Sequence, residues 1–129
     1  MNSALRGALW AALTIGVSLP LNAGLALPLY AILLGAAIGI YIGPVLDAGR
    51  REELGLHVAM GAGLVVLALA GLWFSPLWLA GAWALHAVFD VFHGHAGLET
   101  RVPRWYPSTC LTYDLILAAW IVLQWRLTM

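Results

Sequence analysis

The sequence predicts an all-α fold: a polytopic transmembrane helical bundle forming one integral membrane domain over residues 1–129. Three observations carry this. The chain is 63% apolar and 9% charged, against about 45–50% and about 25% in soluble domains, so it cannot cover itself with polar surface in water. Its first 46 residues hold a single charge, Arg6. The breaks in the apolar sequence then divide it into stretches near the roughly 20 residues that one helical crossing needs.

Each element follows from those breaks. Helix 1 is expected at about 4–21 and helix 2 at about 25–45, parted by the turn-forming Pro20, Asn22 and Gly24. The first stretch continues apolar well past signal-peptide length, so it reads as a retained helix. Asp47, Arg50, Arg51, Glu52 and Glu53 make a polar loop, and helix 3 follows at about 54–73. Ser75-Pro76 breaks it, and Pro76 suits the first turn of helix 4, at about 76–93. A second polar loop over 94–106 carries Glu99, Arg101, Pro103 and Arg104, and helix 5 is expected at about 107–126. Four spans, with 4–21 as a half-helix, are the alternative. With five, Arg6, Arg50, Arg51, Arg101 and Arg104 share one side and Arg126 has the other. The positive-inside rule makes the first side cytoplasmic and puts the C-terminus outside. Trp73, Trp78, Trp105 and Tyr106 fall at the expected interfaces, as aromatic belts do.

Helix 2 carries Gly35, Gly39 and Gly43 at intervals of four. Such a small-residue stripe lets backbones approach in lipid. It is expected to pack within the protomer, or else to form a homo-oligomer face. The six basic residues, all Arg, balance six acidic ones. No nucleic-acid partner is implied, and the expected surroundings are membrane lipid. One cysteine fixes no redox compartment. There is no Gly-rich phosphate loop, no Gly-x-Ser-x-Gly elbow and no His-Glu-x-x-His.

Polar residues inside the expected spans carry the functional reading. His86, Asp90 and His93 stand at i, i+4 and i+7 and share one face of helix 4. Cys110 and Asp114 repeat the i, i+4 spacing on helix 5, as do Glu53 and His57 at the start of helix 3. These pairs converge on the cytoplasmic half. An ionised group at such depth costs at least about 2.5–3.5 kcal/mol, so Asp90 and Asp114 must be protonated, paired or bound to a cation. Imidazole and carboxylate are ligands of first-row metals. The residues point to a divalent metal such as zinc or iron on His86, Asp90 and His93. Asp114 serves as fourth ligand or general base, with Cys110 as another fourth ligand. Glu53 and His57 close the site from helix 3, and Tyr113 supplies a hydrogen bond or proton. The corresponding function is a metal-dependent enzyme acting on a lipid or other apolar small molecule. Without metal, the same His–Asp pair suits proton transfer.

Three alternatives stand beside it. A closed His–Asp hydrogen-bond network would merely pin helices 3, 4 and 5 together. The chain would then fit a non-enzymatic accessory or structural subunit of a larger membrane complex. A bis-histidine haem would use His57 with His86 or His93, with Arg50 and Arg51 at the propionates. Carboxylates on the same face favour an ion over a porphyrin. The remaining polar residues read as surroundings: His95, Glu99, Arg101 and Arg104 as a solvated loop, Trp105-Tyr106-Pro107 as an interfacial anchor, and Asp47 and Glu52 as surface ion pairs with the adjacent Arg residues.

The pattern Trp83-x2-His86-x3-Asp90-x2-His93, followed by Pro103-x-Trp105-Tyr106, Cys110 and Asp114, resembles a group of small bacterial integral-membrane proteins without assigned function. The group has adjacent histidines where this chain has His93, Gly94 and His95. The resemblance covers about residues 78–120, the C-terminal third of the chain. It implies that the His–Asp helix and the Cys/Asp helix belong together, in a multi-pass protein of the bacterial inner membrane. It supplies no reaction.

Overall fold

A computed structural model describes residues 1–47, 49, 51–95 and 102–128 and, for Gly94 and His95, the backbone alone. The described residues form five helices: α1 (Ser3–Ser18), α2 (Ala23–Asp47), α3 (Arg51–Trp73), α4 (Pro76–His95) and α5 (Tyr106–Thr128). No strand occurs among them. An apolar chain in a low-dielectric medium must satisfy its backbone hydrogen bonds within each segment, and the helix does this. Polar punctuation sets the starts. The Asn2 side chain accepts from the Leu5 N–H at 2.8 Å and the Asn22 side chain from the Leu25 N–H at 3.2 Å. Each thereby satisfies an orphan donor at a helix N-terminus. Pro76 opens α4 as expected. α3 starts at Arg51, so Glu52 and Glu53 belong to its first turn rather than to a loop. Their charge there complements the positive end of the helix dipole. Gly49, in the short connection before it, has φ +67°, which glycine adopts without a Cβ penalty.

Three of these helices, α2, α3 and α5, are long and apolar enough to cross a membrane. The two others differ for separate reasons. α1 has 16 residues, shorter than a full crossing, and α4 has 20 but carries the His and Asp residues of the site. Large apolar side chains, among them Trp10, Leu13, Val17, Ile32, Val66 and Phe92, lie exposed on the outer faces. Arg50, Glu99 and Arg101 lie outside the described residues, as does the His95 side chain, so the loop and haem-propionate roles expected of them have no counterpart here.

Each helix packs beside the next in the order α1, α5, α4, α3, α2, and α2 also touches α4. α1 and α5 run in the same direction: the Thr109 hydroxyl reaches the Ser3 carbonyl, and further along the Tyr113 hydroxyl meets that of Thr14. Burial against lipid-like surroundings gives helices little hydrophobic reason to associate, so close approach and polar contacts must hold them. Glycine provides the approach at two crossings. A Cβ on Gly7 would collide with the Thr109 carbonyl of α5, and one on Gly71 would stand 2.5 Å from Leu79 Cβ of α4. The Gly35, Gly39 and Gly43 stripe does not pack within the protomer as expected. A Cβ on any of the three meets nothing within 4 Å, because the stripe faces outward from α2.

One end of the bundle is apolar, filled by Leu34, Leu64, Leu79, Leu117 and Ile121. Its polar groups there form a closed chain. Trp120 Nε1–H donates to the Tyr30 hydroxyl at 2.9 Å, Tyr30 donates to Ser18 Oγ at 2.6 Å, and Ser18 donates to the Ile15 carbonyl at 2.8 Å. Every donor in this chain has one acceptor.

Candidate metal centre

The other half holds the buried histidines and aspartates. His57, His86, Asp90, His93 and Asp114 are all buried. Counting along each helix from the end nearest the charged connections, Tyr41, His57, His86 and Asp114 lie about 9–14 Å in, at 1.5 Å per residue. They come from four different helices, α2, α3, α4 and α5.

Two arrangements emerge. In the first, His86, Asp90 and Asp114 place one possible ligand atom each within 4.8 Å of one another. His86 Nδ1 is 2.6 Å from Asp114 Oδ2 and 3.7 Å from Asp90 Oδ2. Neighbouring ligands of a tetrahedral ion, bound at about 2.0–2.2 Å, stand about 3.3–3.6 Å apart, so the three residues fit one ion after small side-chain adjustments. The Tyr41 hydroxyl donates to Asp90 Oδ1 at 2.5 Å and fixes that carboxylate from α2. The internal hydrogen bonds leave gaps. His86 Nε2, Asp90 Oδ2, Asp114 Oδ1 and Trp83 Nε1 are buried with no hydrogen-bond partner among the described residues. Buried polar atoms are normally satisfied, and a failure to satisfy them calls for an absent water, ion or ligand.

In the second arrangement, His57 Nε2 faces His93 Nε2 at 2.8 Å. The two imidazole rings are 4.9 Å apart and nearly edge-on. Tyr41 links this pair to the first group: its ring lies 4.2 Å from that of His93 while its hydroxyl holds Asp90.

The sequence-predicted residues therefore divide. Asp114 joins His86 and Asp90. His93 turns instead to His57, because seven residues along α4 carry it about 10.5 Å from His86, too far to share the ligands of one ion. His57 and His93 Nε2 atoms at 2.8 Å leave no space for a porphyrin plane between them, and His57 has both ring nitrogens engaged, with the Glu53 carbonyl and with His93, so neither expected haem pairing is formed here. Glu53 supplies its backbone carbonyl to His57 Nδ1–H at 2.7 Å, and its side chain is half-buried at the start of α3. Cys110 is buried one turn before Asp114 and hydrogen-bonds with Tyr106. Tyr113 points elsewhere. Adjacent helical residues differ by about 100° in direction, and its hydroxyl meets Thr14 of α1 at 3.0 Å rather than the Asp114 face.

Tyr41 is the residue that sequence reasoning missed. Its signal was a hydroxyl within the longest apolar helix, about 9 Å from that helix's end. Trp83, which opens the sequence pattern, lies one turn before His86 on the same face.

Beside the centre, α1 and α2 part over α5. The resulting cavity, about 390 Å³, is lined by Trp10, Thr14, Ile40, Tyr106, Cys110 and Tyr113 among others. Cys110 and Tyr106 are among its lining residues, and Asp114 follows Cys110 by one turn of α5.

No curated protein and no solved structure matches the chain. The family of unknown function DUF6010 matches residues 2–126, nearly the whole length, and the protein belongs to that family.

Proposed function

We propose that the protein crosses the membrane five times and is a metal-dependent enzyme acting on a lipid or other apolar small molecule. The observation that carries this reading is the convergence of His86, Asp90 and Asp114, fully buried, with one polar atom of each lacking a partner among the described residues. Two carboxylates and one neutral imidazole balance a divalent ion. That neutrality removes the cost of charge at membrane depth. One nitrogen and two oxygen donors suit a borderline ion such as zinc or iron. A divalent ion there supplies Lewis-acid polarisation of an ester, amide or ether oxygen.

The chain's own residues have separate tasks. Tyr41 orients Asp90, as outer partners of metal ligands do. His86 and Asp114 share a proton at the 2.6 Å contact when no ion is bound. Asp114 is the general base or the third ligand. The cavity between α1, α2 and α5 is apolar and suits an acyl or similar chain entering from the bilayer. Arg6 and Arg51 on the near side favour the cytoplasmic leaflet of an inner membrane for this half, with the C-terminus outside.

The test uses the zinc- or iron-loaded protein in vesicles of phosphatidylethanolamine and phosphatidylglycerol, with lipids followed by mass spectrometry. The expected result is a new lipid product that disappears on chelation and with Asp114→Asn. Metal-loaded wild-type protein that leaves every lipid unchanged would overturn the lipid-enzyme reading.

A further inference from the structure

The His57–His93 contact has one proton too few to be a closed network. His57 Nδ1 lies 2.7 Å from the Glu53 carbonyl, and His93 Nδ1 lies 2.9 Å from the Phe89 carbonyl. A carbonyl oxygen only accepts, so both Nδ1 atoms carry hydrogen and donate. In a neutral imidazole the other nitrogen is then a lone pair. Both Nε2 atoms are therefore acceptors, and they face each other at 2.8 Å, with His57 2% exposed and His93 6%. Two lone pairs at that separation repel. Only a cation between them makes the contact favourable.

We propose that His57 and His93 form a second metal site, separate from the His86–Asp90–Asp114 centre, for a first-row transition ion of the zinc type. Four features point to a metal. Each ring is held by an Nδ1–H bond to the backbone carbonyl four residues earlier, the outer contact that fixes the tautomer and aim of metal-binding histidines. Ligands at about 2.0–2.1 Å stand about 3.3–3.4 Å apart around a tetrahedral ion and about 2.8–3.0 Å apart at adjacent octahedral positions, so the two Nε2 atoms at 2.8 Å seat one ion with at most a small opening of the pair. The walls are aromatic and hold the rings in place: Phe89 lies 4.1 Å from the His93 ring and 5.4 Å from the His57 ring, and Tyr41 lies against His93. The position also favours a cation: His93 lies in the last turn of α4, where the helix dipole attracts positive charge.

This inference does not rest on the first centre holding an ion, and it changes what that centre is. Tyr41 touches both groups, through its hydroxyl to Asp90 and its ring to His93. With both sites filled, the two ions lie on either side of one tyrosine.

The experiment counts zinc bound per chain in detergent for wild type, His57→Gln, His93→Asn and Asp114→Asn, each checked for a monodisperse, helical state. X-ray absorption is then recorded on the zinc left in Asp114→Asn. The expected counts are two ions in wild type and one in each variant, and the ion left in Asp114→Asn shows imidazole scattering. Using two histidine variants keeps the test open if one fails to fold. One ion in wild type, retained by Asp114→Asn and lost in His57→Gln, supports the second site and removes the first. An unchanged count in both histidine variants overturns the proposal and leaves a shared proton as the bridge. A single ion lost in every variant also overturns it, in favour of one common site.

Discussion

Ser18, Tyr30 and Trp120 near one end of the bundle, and His86, Asp90 and Asp114 toward the other, are both buried polar groups that join several helices. They differ in hydrogen-bond accounting. In the first, Trp120 donates to Tyr30, Tyr30 to Ser18 and Ser18 to a backbone carbonyl, and nothing further is required. In the second, four buried polar atoms on α4 and α5 have no partner among the described residues, while two carboxylates crowd one imidazole. The closed chain needs only the fold. The open cluster needs something the fold does not contain. The difference teaches that burial and polarity alone do not separate a structural polar group from a binding one, whereas the match of donors to acceptors does.

If so, substitutions should have opposite effects in the two regions. The largest effect is expected for Asp114→Asn, which removes a ligand charge and should weaken zinc binding at that centre at least about 100-fold, or about 2.7 kcal/mol. The metal-free variant should unfold at the same temperature as the metal-free wild type or above it, since one of two crowded carboxylates is gone. Both are read by chelator competition and by thermal unfolding in detergent. Tyr30→Phe should do the reverse. It strands the Trp120 N–H and the Ser18 oxygen, costs about 1–3 kcal/mol of stability, and leaves metal affinity as it was. Tyr41→Phe tests the boundary between the two kinds of group. Its hydroxyl only orients Asp90, so affinity should fall by about 10-fold, at the low end for an outer partner, with a small loss of stability. The smallest effect belongs to Gly39→Ala, which meets open space and should stay within about 0.5 kcal/mol. Gly7→Ala at the α1–α5 crossing is its control, and the clash with the Thr109 carbonyl should cost about 1–3 kcal/mol.

Much of the fold was legible in the sequence because in such a chain every interruption of apolar character is a signal. Pro20, Asn22, Ser75 and Pro76 mark helix boundaries to within a few residues. The loop before α3 is shorter than its run of charges suggests, since Glu52 and Glu53 serve the first turn of the helix. The Gly35–Gly39–Gly43 stripe misled for a related reason: small residues permit close approach without saying which helix, if any, approaches. In the site, the i, i+4 spacing of His86 and Asp90 correctly identifies a shared face, and similar depth brings Asp114 to it. Periodicity could not reveal that His93 belongs with His57. A face two turns long meets different neighbours at its two ends, and α3 covers one while α5 covers the other. Tyr41 was hidden because a tyrosine in an apolar helix reads equally well as an interfacial anchor.

The central claim is that the open cluster, and not the closed chain, holds a metal ion. Its most direct test is the zinc content per chain of wild type, Asp114→Asn and Tyr30→Phe, purified side by side and equilibrated against the same buffered zinc. The account predicts that Asp114→Asn holds one ion fewer than wild type while Tyr30→Phe holds the same number. A wild-type protein that binds no ion, or an Asp114→Asn variant that binds as many as wild type, would contradict it.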